Sequence, residues 1–211
     1  MSNEPIFADE SIATRRSDNV ADLPDDLPFR RLVIAIDTLN LWVGKIIAWL
    51  IIPLIFAMSY EIFMRKVFIA PTVWSYDVSR MLYGAMFILG SAYGLLKGIH
   101  IRSDFLYRNW SIQTQGKVDT FLYIFFFIPS MIVFLYVAGN WAWEAVDRAE
   151  RGMDSSWMPL LGPIKSCLPI GILLLLLQGI SELVKSWYAA TRGNWPNQVP
   201  YDPESNPELQ E

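Results

Sequence analysis

Four long apolar stretches dominate the pattern of hydrophobic and polar positions along this 211-residue chain. They contain no Asp, Glu, Lys or Arg and cover Ile46–Tyr60, Met81–Leu96, Thr120–Trp143 and Ser166–Ser181. With flanking side chains that can reach the interface, each stretch is about long enough to cross ~30 Å of hydrocarbon as a helix. The pattern therefore predicts an all-α integral membrane protein with four transmembrane helices, short connecting loops and polar tails.

The predicted boundaries divide the chain into three parts. An acidic, flexible tail covers residues 1–31, a four-helix membrane domain covers 32–190, and an acidic, proline-rich tail covers 191–211. The spans are expected at about 42–60, 77–97, 120–143 and 164–186. Pro53 is expected to kink the first of them. Asp37, Asn40 and Lys45 precede the charge-free stretch Ile46–Tyr60, so we expect the first half of its helix to lie at the membrane interface.

Composition and charge limit the kinds of molecule that the chain is expected to contact. The chain is 53% hydrophobic and only 18% charged, and its net charge is −4. The acidity belongs to the two tails, whereas residues 32–191 carry a small positive excess. This distribution gives no reason to expect nucleic-acid binding, and it favours a protein whose surroundings are membrane lipids and other subunits.

The basic residues indicate the orientation in the membrane. In a four-span topology, ten Lys and Arg residues lie on the side of the two tails and the 97–117 connection, and six lie on the other side. Basic residues near the spans favour the cytoplasm. Both termini are therefore expected to be cytoplasmic.

Candidate chemistry inside the chain is sparse. One histidine and one cysteine exclude bis-histidine haem ligation, a two-histidine zinc site and an iron–sulfur cluster held by this chain alone. The charge-free spans contain no carboxylate for a proton relay. We therefore expect neither enzymatic activity nor a cofactor or metal site.

Two polar motifs lie at predicted span ends. Trp74 precedes Asp77 and Arg80, which are three residues apart and share a helix face, so they can pair. Directly after the second span comes His100-Ile-Arg102-Ser-Asp104, in which Arg102 can pair with Asp104 or bind lipid phosphate. Each motif is either a local structural feature, namely a capped helix end and a membrane-surface turn, or a contact to a partner subunit or a lipid.

Small residues and one amide predict contacts between helices. Gly90, Gly94 and Gly98 recur every four residues and form a ridge on the second span. Such a ridge allows another helix to approach closely, either within this chain or in a partner. Gln178 is a lone uncharged polar group in the fourth span, where an interhelical hydrogen bond is the expected role.

The middle of the chain resembles the small membrane subunit of tripartite ATP-independent periplasmic (TRAP) transporters, the DctQ-like family. The likeness rests on the run from Tyr60 through Arg65, Pro71 and Trp74 to Arg80, followed by the glycine-rich span and the His100-x-Arg102-x-Asp104 motif. It covers roughly residues 42–187. Asp77 stands where the family often has Glu, and Ile69 where it often has Asn.

The resemblance implies a function without catalysis. It implies a small permease subunit that braces a large permease subunit in the bacterial inner membrane. A periplasmic solute-binding protein would deliver an organic acid or related solute, and sodium coupling would reside in the large subunit. Trp74, Asp77, Arg80, the three glycines, His100, Arg102 and Asp104 would then be structural residues that face partners or lipids.

Two other functions remain open from the residues. A four-helix membrane anchor of a respiratory or redox complex also supplies helices to a larger assembly, although that class usually brings several haem-ligating histidines. A small exporter that forms homo-oligomers would require a membrane-embedded carboxylate, which none of the four stretches contains.

Overall fold

The structure is a computed structural model that describes residues 14–16, 23–98, 110–196 and 198–200. The described part of the chain folds into six α-helices, with a five-residue π-helical turn between the fourth and fifth. The helices are α1 (Arg30–Ala48), α2 (Ile51–Val67), α3 (Ser75–Leu96), α4 (Ile112–Leu122), α5 (Ile128–Asp147) and α6 (Gly162–Arg192), and the π-helical turn is Tyr123–Phe127.

The short strands β1 (Thr14–Arg16) and β2 (Gln198–Pro200) form an antiparallel pair in which Arg15 lies opposite Val199. This ribbon departs from the purely helical fold that the sequence predicts. Backbone pairing between two tail segments leaves no trace in hydrophobic periodicity, which explains why the pattern could not show it.

Three helical segments of the described chain are long and apolar enough to cross a membrane. They are Arg30–Val67, which combines α1 and α2, Ile112–Asp147, which combines α4, the π-helical turn and α5, and Gly162–Arg192, which is α6. Helix α3 corresponds to the second predicted span, but it is not among these three. The helical architecture agrees with the sequence, and three of the expected four spans are found by length and composition.

Proline explains the break between α1 and α2. Before Pro53 the backbone tightens into i→i+3 hydrogen bonds, with Leu50 N–H donating to Ile47 O (2.9 Å) and Ile52 N–H to Trp49 O (3.2 Å). Pro53 has no N–H, and its ring conflicts with the carbonyl of Trp49 four residues earlier. The helix is interrupted just before Pro53, where a kink is predicted.

Helix α6 lies at the centre of the bundle and packs against α1, α3, α4 and α5, whereas α2 packs mainly against α3. Four glycines permit the closest helix contacts. A Cβ atom added at Gly116, Gly171 or Gly179 would lie only 2.1–2.5 Å from Ala190, Ile88 or Phe127, respectively, and one at Gly44 would lie 2.5 Å from the Tyr93 ring. Glycine is required here because no larger side chain fits between the helices.

Alanine substitutions test the close packing at these glycines, with Gly116 as the test position and Gly90 as the matched control. Gly116→Ala places a methyl group 2.5 Å from the backbone nitrogen of Ala190 and is expected to cost about 1–3 kcal/mol of unfolding free energy. Gly90→Ala meets nothing within 4 Å in the described part of the chain and is expected to be neutral or to stabilise the helix by up to about 1 kcal/mol. Unfolding of the purified chains in mixed micelles, followed by circular dichroism, measures both. Equal effects of the two substitutions would contradict the packing.

Candidate functional site: polar contacts between the helices

A cluster of buried polar side chains joins α1 to α6. The residues at 178, 181, 182 and 185 share one face of α6, because helical neighbours recur every three to four residues, and those at 37 and 40 share one face of α1. We call this cluster the α1–α6 network, and it consists of Asp37, Asn40, Gln178, Ser181, Glu182 and Lys185.

Lys185 is the centre of the α1–α6 network. Its Nζ lies 2.7 Å from Asp37 Oδ2 and 2.9 Å from Glu182 Oε1. The three side chains are at most 4% exposed. A buried charge without a partner costs several kcal/mol, so these ion pairs tie the position of α1 to that of α6.

Hydrogen bonds complete the network. Ser181 Oγ and Gln178 Nε2 donate to Asp37 Oδ1 at 2.7 and 3.0 Å, and Asn40 Nδ2 donates to Gln178 Oε1 at 2.7 Å. The interhelical hydrogen bond that was predicted for Gln178 is confirmed. Asp37 and Asn40, which the sequence places at the membrane interface, are covered by α6 rather than exposed to the surroundings.

A second polar cluster lies at the opposite end of the bundle. Arg80 pairs with Asp154 (Nη1 to Oδ2, 2.7 Å) and, more loosely, with Asp77 (Nη2 to Oδ1, 3.6 Å). The predicted Asp77–Arg80 pair is therefore present. Ser155 donates its hydroxyl hydrogen to Asp77, whose side chain is almost completely buried. Asp77 thus binds the chain's own α5–α6 loop, and Arg80 and Asp154 are the accessible members of the cluster.

Trp74 and its neighbours fix the turn between α2 and α3. The Trp74 ring stacks on Tyr60 with centroids 5.8 Å apart. Ser75 Oγ donates to the carbonyl of Ala57 at 2.6 Å. Glu61 accepts hydrogen bonds from Thr72 and Arg65. These contacts hold the start of α3 against α2.

The predicted glycine ridge differs from the observed packing. Gly90 meets nothing within 4 Å inside the described chain, and Gly98 lies just after the end of α3 with φ = 67°. Gly94 is half-buried. At Gly90, close packing within the described part of the chain is therefore ruled out, and contact with a partner is the alternative that stays a prediction.

The motif His100, Arg102 and Asp104 lies outside the described residues, so its predicted role stays a prediction. Within the described ranges there is no group of three or more His, Cys, Asp and Glu residues that could hold a metal ion. The α1–α6 network is the main site that sequence reasoning missed. The signal is the helical spacing of 178, 181, 182 and 185, which lie within the predicted span 164–186.

The described chain consists of long apolar helices whose buried polar groups pair with one another. These features are typical of an α-helical membrane protein. Residues 54–189 match the family of tripartite ATP-independent periplasmic transporters, DctQ component. Because this match covers more than half of the sequence, the chain belongs to that family, whose members are the small permease subunits of TRAP transporters. No curated protein matches the chain significantly. None of these findings supports the alternative function, a membrane anchor of a respiratory or redox complex.

Removal of the central cation tests the α1–α6 network. Lys185→Met leaves Asp37 and Glu182 without their shared ammonium group, and we expect a loss of about 3–5 kcal/mol of unfolding free energy. Arg148→Met is the matched control, since the Arg148–Glu144 pair is exposed and is expected to contribute less than about 1 kcal/mol. Unfolding in mixed micelles measures both variants. A Lys185→Met protein as stable as Arg148→Met would contradict the structural role of the network.

Proposed function

We propose that this chain is the scaffold subunit of a sodium-coupled TRAP transporter that imports an organic acid or a related solute. In this proposal the chain braces the large permease subunit in the bacterial inner membrane, and a periplasmic solute-binding protein delivers the solute. The observation that carries the proposal is the family match, which extends from α2 through α6.

The internal pairing of charges supports a bracing role. Lys185 is engaged by Asp37 and Glu182, and Arg80 by Asp77 and Asp154. A solute or ion pathway requires polar groups that are accessible from water, whereas Lys185, Asp37 and Glu182 are almost fully buried and hold two helices together. The solute and sodium sites are therefore assigned to the large subunit, and this chain is proposed to be non-enzymatic and free of cofactors.

Helices α2 and α5 offer the surface that such a scaffold needs. Several large apolar side chains of α2 are more than half exposed, among them Ile52, Phe56 and Phe63, and on α5 Val133 and Tyr136 are exposed in the same way. In a membrane protein these surfaces meet lipid or another subunit. They support a role in which one part of the surface contacts the large permease and the remainder contacts lipid.

Contacts between the two ends of the chain support four membrane crossings. Asp26, just before α1, accepts a hydrogen bond from Tyr188 (3.1 Å) and pairs with Arg192 (3.2 Å) at the end of α6. The start of α1 and the end of α6 thus lie at one end of the bundle, which requires an even number of crossings. In this proposal helix α3 is the fourth span, and both termini are cytoplasmic, as the distribution of basic residues favours.

Co-purification tests the proposed function directly. The tagged chain is extracted from native membranes in mild detergent, and the captured proteins are identified by mass spectrometry, with the untagged strain as the control. We expect a large permease subunit in a one-to-one ratio. Recovery of a redox subunit with stoichiometric haem absorbance, or of the chain alone, would contradict the proposal.

A further inference from the structure

The last part of α2 projects past the start of α3, at the end of the bundle opposite to the start of α1 and the end of α6. Ser75, the first residue of α3, donates its hydroxyl hydrogen to the carbonyl of Ala57 at 2.6 Å, so these two residues lie at the same level. Helix α2 continues beyond Ala57 to Val67. At a rise of about 1.5 Å per residue, residues 58–67 extend roughly 15 Å past the start of α3. We call residues 58–74, which leave along α2 and return to α3, the α2–α3 projection.

Hydrogen bonds fasten the returning segment of the projection to α2. The backbone N–H of Thr72 donates to Glu61 Oε2 at 2.9 Å. Nearer the tip, the N–H of Ala70 turns back to the carbonyl of Met64 at 3.2 Å. Ile69 therefore lies at the tip of the projection, just after α2 ends and where the chain reverses direction.

The projection lies outside the hydrocarbon layer in the proposed four-span arrangement. Helix α3 contains 22 residues and is about 33 Å long, close to the ~30 Å thickness of that layer. The start of α3 therefore marks the membrane boundary, and the part of α2 beyond it enters the aqueous side. The charged residues agree with this level, because α2 carries none before Glu61 and then carries Glu61, Arg65 and Lys66.

Large apolar side chains are exposed at the tip of the projection. Val67, Phe68, Ile69 and Val73 are each more than half exposed, and the exposed fraction of Ile69 is 86%. Lipid tails do not reach the aqueous side of the membrane, so water surrounds these side chains unless another protein covers them. An exposed apolar patch of this kind marks a contact with another protein.

The conformation of Ile69 indicates from which direction that protein approaches. Its φ of 55° lies in the left-handed region, which β-branched residues disfavour and which Gly and Asn adopt more readily. Its exposed side chain gains nothing from burial, so folding does not explain an isoleucine at this position. Strain that stability does not explain points to a function. Because Ile69 lies at the tip, its partner approaches from the aqueous side, whereas a neighbouring subunit in the bilayer would cover the flank of α2.

The last turn of α2 adds a positive charge next to the apolar tip. Arg65 pairs with Glu61, whereas Lys66 is exposed and forms no ion pair with another described residue. The tip therefore fits a partner surface that presents apolar side chains beside an acidic group.

We propose that the tip of the α2–α3 projection, with Ile69 at its centre, is a docking contact for the periplasmic solute-binding protein. This inference rests on the proposed function, which places a soluble protein on the side of the membrane opposite to the termini. The competing occupants are the large permease subunit and a second copy of this chain.

Site-specific cross-linking in the native host identifies the occupant. The photoreactive residue p-benzoylphenylalanine replaces Ile69 and, as the matched control, Phe29, which is likewise exposed and left-handed but lies at the other end of the bundle. Mass spectrometry identifies the products formed on irradiation. We expect a solute-binding protein to be cross-linked from position 69 and not from position 29. Cross-linking of only the large permease, of a second copy or of no protein would overturn the proposal.

Replacement of Ile69 separates docking from stability. Ile69→Asn relieves the left-handed strain and removes the apolar side chain, so we expect an unchanged or higher unfolding temperature. The probe is the binding protein, purified from the native periplasm with its bound solute, and it is expected to bind the complex in nanodiscs about tenfold more weakly. Phe29→Asn makes the same kind of change at the other end and should leave this affinity unchanged.

The remaining outcomes distinguish the docking contact from the proposed function. If the large permease co-purifies with the Ile69→Asn chain and the binding protein binds as tightly as to the wild-type complex, the docking contact is wrong and the proposed function stands. A lower unfolding temperature of Ile69→Asn would show that Ile69 serves the fold, which would also overturn the docking contact. Failure of the wild-type chain to co-purify with a large permease would contradict both.

Discussion

The pairing of Lys185 with two carboxylates is the interaction on which the arrangement of the helices depends. Asp37 comes from α1 and Glu182 from α6, and the side chains of all three residues are almost fully buried. Because little water reaches these groups, each charge requires a partner of opposite sign, and that requirement fixes the rotation of α1 against α6. Helix α6 in turn contacts α3, α4 and α5, so the position of α1 is coupled to the whole bundle.

The two polar clusters fasten opposite ends of the bundle. At one end the α1–α6 network joins the first and last helices, and at the other Arg80 and Asp77 join α3 to the loop between α5 and α6. Between them the helices meet through glycines, as at Gly171 and Gly179. A bundle held in this way resists tilting of single helices. This resistance is what a subunit requires if it is to stay fixed while a neighbouring subunit moves, which is the role proposed for this member of the DctQ family.

The sequence predicts the features that depend on neighbouring residues. Apolar runs predict the helices, Pro53 predicts the break between α1 and α2, and three-residue spacing predicts the pair of Asp77 and Arg80. The sequence does not show which side chains pair when they are far apart along the chain. Asp37 and Lys185 are 148 positions apart, and nothing in either segment alone indicates that they meet. The close contacts of α3 within the described chain use its large side chains Ile88 and Tyr93 against glycines of other helices, which the glycine spacing on α3 does not show.

The proposed bracing role requires that the chain itself stays rigid, and an intramolecular distance measured during transport tests this rigidity. Spin labels at the exposed positions Thr38 on α1 and Thr191 on α6, in a Cys167→Ser background, report this distance by double electron–electron resonance. The complex with the large permease subunit is measured with and without sodium and solute-loaded binding protein. A rigid brace predicts a single narrow distance that is the same in all states. A second distance, or a displacement when solute and sodium are added, would show that the chain is not a rigid brace.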